Sequence, residues 1–117
     1  MTISSQSSAL GPGYDGVPGK VIRYRDAFNS TLRSEMELDP DVFLIGEDIS
    51  GGFDKDTLEP LDAWGGPFAA TKGLIQDFGP ERIRDAPISE AGFVGAAIGA
   101  ALTGLRPLVN VMYFAFI

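Results

Sequence analysis

With no histidine and no cysteine in the chain, any chemistry falls to carboxylates or a borrowed cofactor, and two stretches set a carboxylate where it could act. The first is Asp85-Ala86-Pro87-Ile88-Ser89-Glu90-Ala91-Gly92-Phe93-Val94-Gly95. Pro87 biases Ala86 away from helix, and Ser89 is a good N-cap whose hydroxyl can accept from a free amide of the first turn, so a helix is predicted from Glu90 to Thr103. Glu90 is the one ionisable side chain on that helix. It either decorates a helix N-terminus, where the dipole favours an anion by roughly 0.3–1 kcal/mol, or it sits beside Gly92, Phe93 and Gly95 in a partly dry site and exchanges a proton with a partner. The second stretch is Gly46-Glu47-Asp48, which follows the apolar run Val42-Phe43-Leu44-Ile45. It reads either as a solvated acidic turn or as acids at the carboxyl end of a parallel strand, where ligands gather in open α/β sheets.

The elements that must position these acids are legible from periodicity. Phe28, Leu32 and Met36 recur at four-residue spacing after Arg25, which predicts an amphipathic helix stopped by Asp39-Pro40. Val42 to Ile45 is continuous and rich in strand formers, as in a strand buried on both faces of a parallel sheet. The segment from Gly51 to Lys72 is a long loop carrying Gly65-Gly66; no Gly-Lys-Ser/Thr follows, so it is not a phosphate-binding loop. Thr71 is placed to cap a short helix through Leu74 and Ile75 that closes at Phe78-Gly79-Pro80, and Arg82-Ile83-Arg84 is a short strand. Gly92, Gly95 and Gly99 leave one helix face nearly bare, which suits close approach by another element or another subunit. Gly104 is the expected C′ residue. The run from Leu108 to Ile117 reads as a second buried strand.

Composition narrows the classes further. A 117-residue chain that is 44% hydrophobic and 21% charged fits one globular domain. A net charge of −7 argues against a phosphate-backbone surface, so no nucleic-acid partner is expected. The lack of Cys and His removes disulfides, thiol nucleophiles, imidazole or thiolate zinc sites and any triad with an imidazole base. Residues 1–20, rich in Ser, Gly and Pro, are expected to be a flexible tail and not a targeting peptide, with residues 21–117 forming the domain. The uncharged run after Glu90 is too short and too rich in Gly and Ala for a membrane span, so no membrane partner and a cytoplasmic location are expected. The apolar, aromatic final residues suggest a truncated chain or an assembly that supplies the missing wall.

Arg25-Asp26-Ala27, Val42 to Asp48, Thr71-Lys72-Gly73-Leu74, Pro87 to Phe93 and Gly104-Leu105-Arg106-Pro107 together resemble, in order, the N-terminal part of the β subunit of thiamine-diphosphate-dependent 2-oxo-acid dehydrogenases. Ala63-Trp64-Gly65-Gly66 is most similar to the acetoin dehydrogenase branch, with the pyruvate and branched-chain branches as relatives. The resemblance implies an α/β, transketolase-like pyrimidine-binding domain, a mostly parallel sheet flanked by helices, cut short of the family's full length. It also implies that Glu90 bonds the pyrimidine ring nitrogen of thiamine diphosphate, favouring the imino form whose nitrogen takes the thiazolium proton in ylid formation. Phe116 matches the aromatic residue that stacks on the pyrimidine, Met112 a lining residue, and Glu47 an acid that relays protons between paired active sites. Plain strand packing is the competing reading for Phe116 and Met112.

The cofactor would be shared with an α subunit in an α2β2 assembly, that subunit holding Mg2+ and diphosphate through a Gly-Asp-Gly motif this chain lacks. A lipoyl-bearing acyltransferase would receive the acyl group. Against this enzymatic reading stands a non-catalytic fragment or subunit-interaction module.

Overall fold

The computed structural model describes residues 22–51 and 64–116. The tail assigned to residues 1–20, the loop portion 52–63 and Ile117 lie outside the described residues. Helix α1 (Tyr24–Leu38) leads into strand β1 (Val42–Gly46); a short helix α2 (Leu74–Phe78) precedes β2 (Ile83–Asp85); helix α3 (Glu90–Leu102) precedes β3 (Arg106–Asn110), and a 3-10 turn covers Phe114–Phe116. The three strands form a parallel sheet in the order β2-β1-β3, with Leu44 opposite Ile83 on one side and Leu108 on the other. The predicted apolar strand is therefore the centre of the sheet.

Alternation along β1 divides the interior. Val42 and Leu44 join Leu32 and Met36 of α1, Ile49, Leu74 and Ile75 of α2, and Ile83 of β2 in one cluster. Phe43 is buried outside that cluster, as are Phe93 and Ala97 of α3, the helix packed on β3 and β1. Helices α2 and α3 thus belong to different faces, and the connections leaving the neighbouring strands β1 and β2 diverge. A crevice at the carboxyl ends of two such strands is the usual ligand position in open α/β sheets. Ile83 is fully buried against Leu44, so Ile83→Ala is expected to lower unfolding free energy by about 2–5 kcal/mol in urea titration.

Arg82 joins the layers. Its guanidinium donates to the carbonyls of Val42 (2.6 and 2.9 Å) and Asp39 (2.7 Å) and lies over the Phe78 ring. It thereby satisfies backbone acceptors where the chain enters β1.

Several local expectations are corrected. Thr71 does not cap α2, whose N-cap is Gly73; it is buried, and its hydroxyl donates to Ile49 O at 2.8 Å. Ser89 holds the N-cap position of α3 without a side-chain cap bond. Phe28 is 42% exposed, because α1 commits only Leu32 and Met36 to the core. The strand expected to be buried from Leu108 onward ends at Asn110 and is half-buried to exposed, since among the described residues only β1 pairs with it. Gly104 is the C′ residue as expected, with φ +101° and a Schellman pair, Gly104 N–H to Ala101 O and Leu105 N–H to Ala100 O.

Candidate functional site

The three strands end level. Gly46 is in register with Asp85 and with Asn110, and a Cβ on Gly46 would stand 2.5 Å from Asn110 O, so glycine is needed for the strands to close here. From this edge the chain delivers Glu47 directly after β1, Glu90 five residues beyond Asp85 and Met112 two residues beyond Asn110. The parallel topology thus brings Glu47, Glu90 and Met112 to one end of the sheet.

Glu90 is the first residue of α3, half-buried, and among the described residues its carboxylate has no hydrogen-bond or ion-pair partner. Thirteen residues of helix place their positive dipole end beside it. Ser89 O accepts from Phe93 N–H at 3.0 Å, closing the first turn. The Ser89 hydroxyl instead lies over Gly92, 2.8 Å from where a Cβ would stand. Gly95 and Gly99 have nothing within 4 Å of a built Cβ, so their face of α3 is open among the described residues.

Glu47 is also half-buried and unpartnered among the described residues, and Asp48 follows in the left-handed region at φ +51°. The turn is held from both sides. Gly46 O accepts from Ala86 N–H at 2.8 Å, and Asp85 accepts from Ser50 through both carboxylate oxygens. Sequence reasoning missed this pair. Ser50 and Asp85 lie 35 positions apart, and only the β1–β2 register makes them neighbours.

Met112 and Phe116 part company. Met112, at φ +58°, has its N–H held by Asn110 Oδ1 at 2.9 Å and lines an apolar cleft of about 960 Å³ between α1, residues 67–71 and the chain after β3. Phe116 does not line it; its ring stacks edge-on against Tyr113, which stacks in turn on Phe68. Neither Glu47 nor Glu90 lines this cleft, and among the described residues its one charged wall residue is Arg25. A smaller polar hollow of about 330 Å³ beside α1 carries Arg23, Arg25, Arg33 and Lys72, with Asp26 bonded to Arg23 at 2.8 Å and Asp77 paired to Arg33. The Arg23 bond holds the Asp26 carboxyl below its ordinary value.

An open parallel sheet with acids unpartnered among the described residues at its carboxyl edge offers the place where ligands gather in α/β folds. Residues 20–117 match the family model described as the transketolase pyrimidine binding domain, and the chain belongs to that family. It is 50% identical over 98 residues to the Bacillus subtilis (strain 168) acetoin:2,6-dichlorophenolindophenol oxidoreductase subunit beta, covering 84% of this chain and 29% of that protein. It is 40% identical over 114 residues to the Arabidopsis thaliana mitochondrial pyruvate dehydrogenase E1 component subunit beta-1, covering 97% of this chain and 26% of the relative. The Cupriavidus necator acetoin:2,6-dichlorophenolindophenol oxidoreductase subunit beta is 47% identical over 90 residues, covering 77% of this chain and 26% of its own length. The chain thus spans under a third of these relatives.

Proposed function

We propose that this chain forms the pyrimidine-binding side of a thiamine-diphosphate site in an acetoin or 2-oxo-acid dehydrogenase, with Glu90 as the residue that exchanges a proton with the pyrimidine ring nitrogen. The observation that carries this is the state of Glu90: a half-buried acid, at a helix mouth on the carboxyl edge of a parallel sheet, with no partner among the described residues. A carboxylate so placed has both oxygens available to a ligand nitrogen, so the residues present fit the group. When bound, thiamine diphosphate supplies the electron sink for cleaving the bond beside a carbonyl. The chain's own part is to hold and move one proton at the Glu90 carboxylate.

Glu47 is assigned the second proton-handling position, reached from the other strand of the same edge. Met112 is assigned to the apolar wall beside the pyrimidine, and Phe116, whose ring stacks on the cleft residue Tyr113, to the aromatic contact with it. An α subunit is the expected partner, holding Mg2+ and the diphosphate in an α2β2 assembly, with a lipoyl-bearing acyltransferase as acceptor. The open face of α3, with Ile98 and Leu102 exposed beside Gly95 and Gly99, is a surface suited to that subunit.

The test is to assemble the full-length protein with its α partner and assay acetoin and pyruvate with an artificial electron acceptor while titrating thiamine diphosphate. Cofactor-dependent turnover of either substrate is expected; turnover of neither, with cofactor bound, would overturn the assignment. In the same titration Phe116→Ala is expected to weaken cofactor binding by about 3- to 10-fold, the worth of an aromatic contact.

A further inference from the structure

We propose that Asp85 is a positioning residue, whose carboxylate fixes the turn carrying Glu47 against the strand leading to Glu90 and so sets where the two acids stand across the sheet edge. The proposal rests on the reading of Glu90 given above. Ser50 is completely buried, and it donates its N–H to Asp85 Oδ1 at 2.9 Å and its hydroxyl to Asp85 Oδ2. A two-point grip on one residue fixes direction as well as distance, which a single bond does not.

Two further contacts make the grip rigid. Thr71, also buried, donates its hydroxyl to the carbonyl of Ile49, the residue before Ser50, at 2.8 Å. Ala86, the residue after Asp85, donates its N–H to Gly46 O at 2.8 Å, just before Glu47. The turn 46–50 is therefore tied at its first residue and its last to residues 85 and 86, with Glu47 and Asp48 between the ties. The chain then runs from Ala86 through Pro87 to Glu90 with Pro87 restricting the path. The register of β2 on β1 is made by backbone bonds, so the Asp85 side chain is not needed to form the sheet. What it adds is the orientation of the neighbouring turn.

The test uses the full-length enzyme assembled with its α partner. Without cofactor, Asp85→Ala is expected to speed amide hydrogen exchange across residues 46–51 by about tenfold or more, as a locally released turn does. With thiamine diphosphate bound, the same variant is expected to slow exchange of the thiazolium proton, read by NMR, by about tenfold through misplacement of the acid. Asp85→Asn keeps an acceptor for the Ser50 N–H and a donor for its hydroxyl, and is expected to stay within about threefold of the parent in both measurements. If Asp85→Ala does not assemble, Ser50→Ala, which deletes one of the two bonds, carries the test; slowed thiazolium exchange supports positioning and parent-like exchange overturns it. Glu90→Gln run alongside separates the two ideas. Parent-like thiazolium exchange in Glu90→Gln would overturn the Glu90 reading and this proposal with it. Slowed exchange in Glu90→Gln with parent-like exchange in Asp85→Ala, or equal slowing in Asp85→Ala and Asp85→Asn, would overturn positioning alone.

Discussion

Glu90→Gln in the assembled enzyme is expected to lower kcat by about 10²- to 10⁴-fold, the range of a lost acid–base group. Glutamine keeps the length of the side chain and can still bond a ring nitrogen through its amide, but it cannot take up or share a proton. The half-buried position and the absence of any partner among the described residues mean that the substitution breaks no contact within the fold. Thermal unfolding should consequently stay close to that of the parent, and cofactor affinity should change far less than turnover. Turnover within a factor of about five of the parent would remove Glu90 from the proton-handling role, since that loss is below anything general acid–base catalysis supplies.

Gly65→Ala is expected to damage the fold as severely as truncating a core side chain. Gly65 is buried at φ +79°, a conformation costing an L side chain about 1–2 kcal/mol. A Cβ there would meet Lys72 N at 2.1 Å and Lys72 Cα at 2.4 Å, which is backbone and cannot rotate away. Displacing it adds an overpacking cost of about 1–3 kcal/mol, so a total near 2–5 kcal/mol is expected in denaturant titration. Gly104→Ala is the control: φ is +101° but nothing lies within 4 Å, so only the conformational part, about 1–2 kcal/mol, should be lost. Equal losses at the two positions would show that crowding at Gly65 is relieved elsewhere.

The contrast between these glycines marks where sequence reading succeeds and where it stops. Gly104 is legible because a helix end asks for a left-handed residue, a local requirement. The tight approach of Gly65 to Lys72 is set by how a loop folds back, and nothing within a few residues of either reveals it. Likewise Val42 to Ile45 announces a central strand through unbroken apolarity, and Pro87-Ile88-Ser89-Glu90 announces the start of α3. The apolar residues after Arg106 look equally buried in sequence, yet β3 is only half-buried, because composition cannot say how many of a strand's sides are covered. Ser89 and Thr71 have the types and offsets of helix caps. In the fold the first occupies the N-cap position with its hydroxyl over Gly92, and the second bonds Ile49 across the interior. The convergence of Glu47 and Glu90 on one edge follows from the strand order, which a single sequence does not state.

The order β2-β1-β3 has a consequence for how the domain is made. The central strand is the first of the three to leave the ribosome, and both of its partners come later. Leu44 waits 39 positions (83 minus 44) for Ile83 and 64 positions (108 minus 44) for Leu108. At a synthesis rate of about 5–20 residues per second, the run Val42-Phe43-Leu44-Ile45 spends seconds with both hydrogen-bonding edges unmatched. Closing parallel pairs across such separations is slow because loop entropy is lost before the contacts form. The nascent chain is therefore most vulnerable to off-path strand pairing at the segment that later becomes its best-protected one.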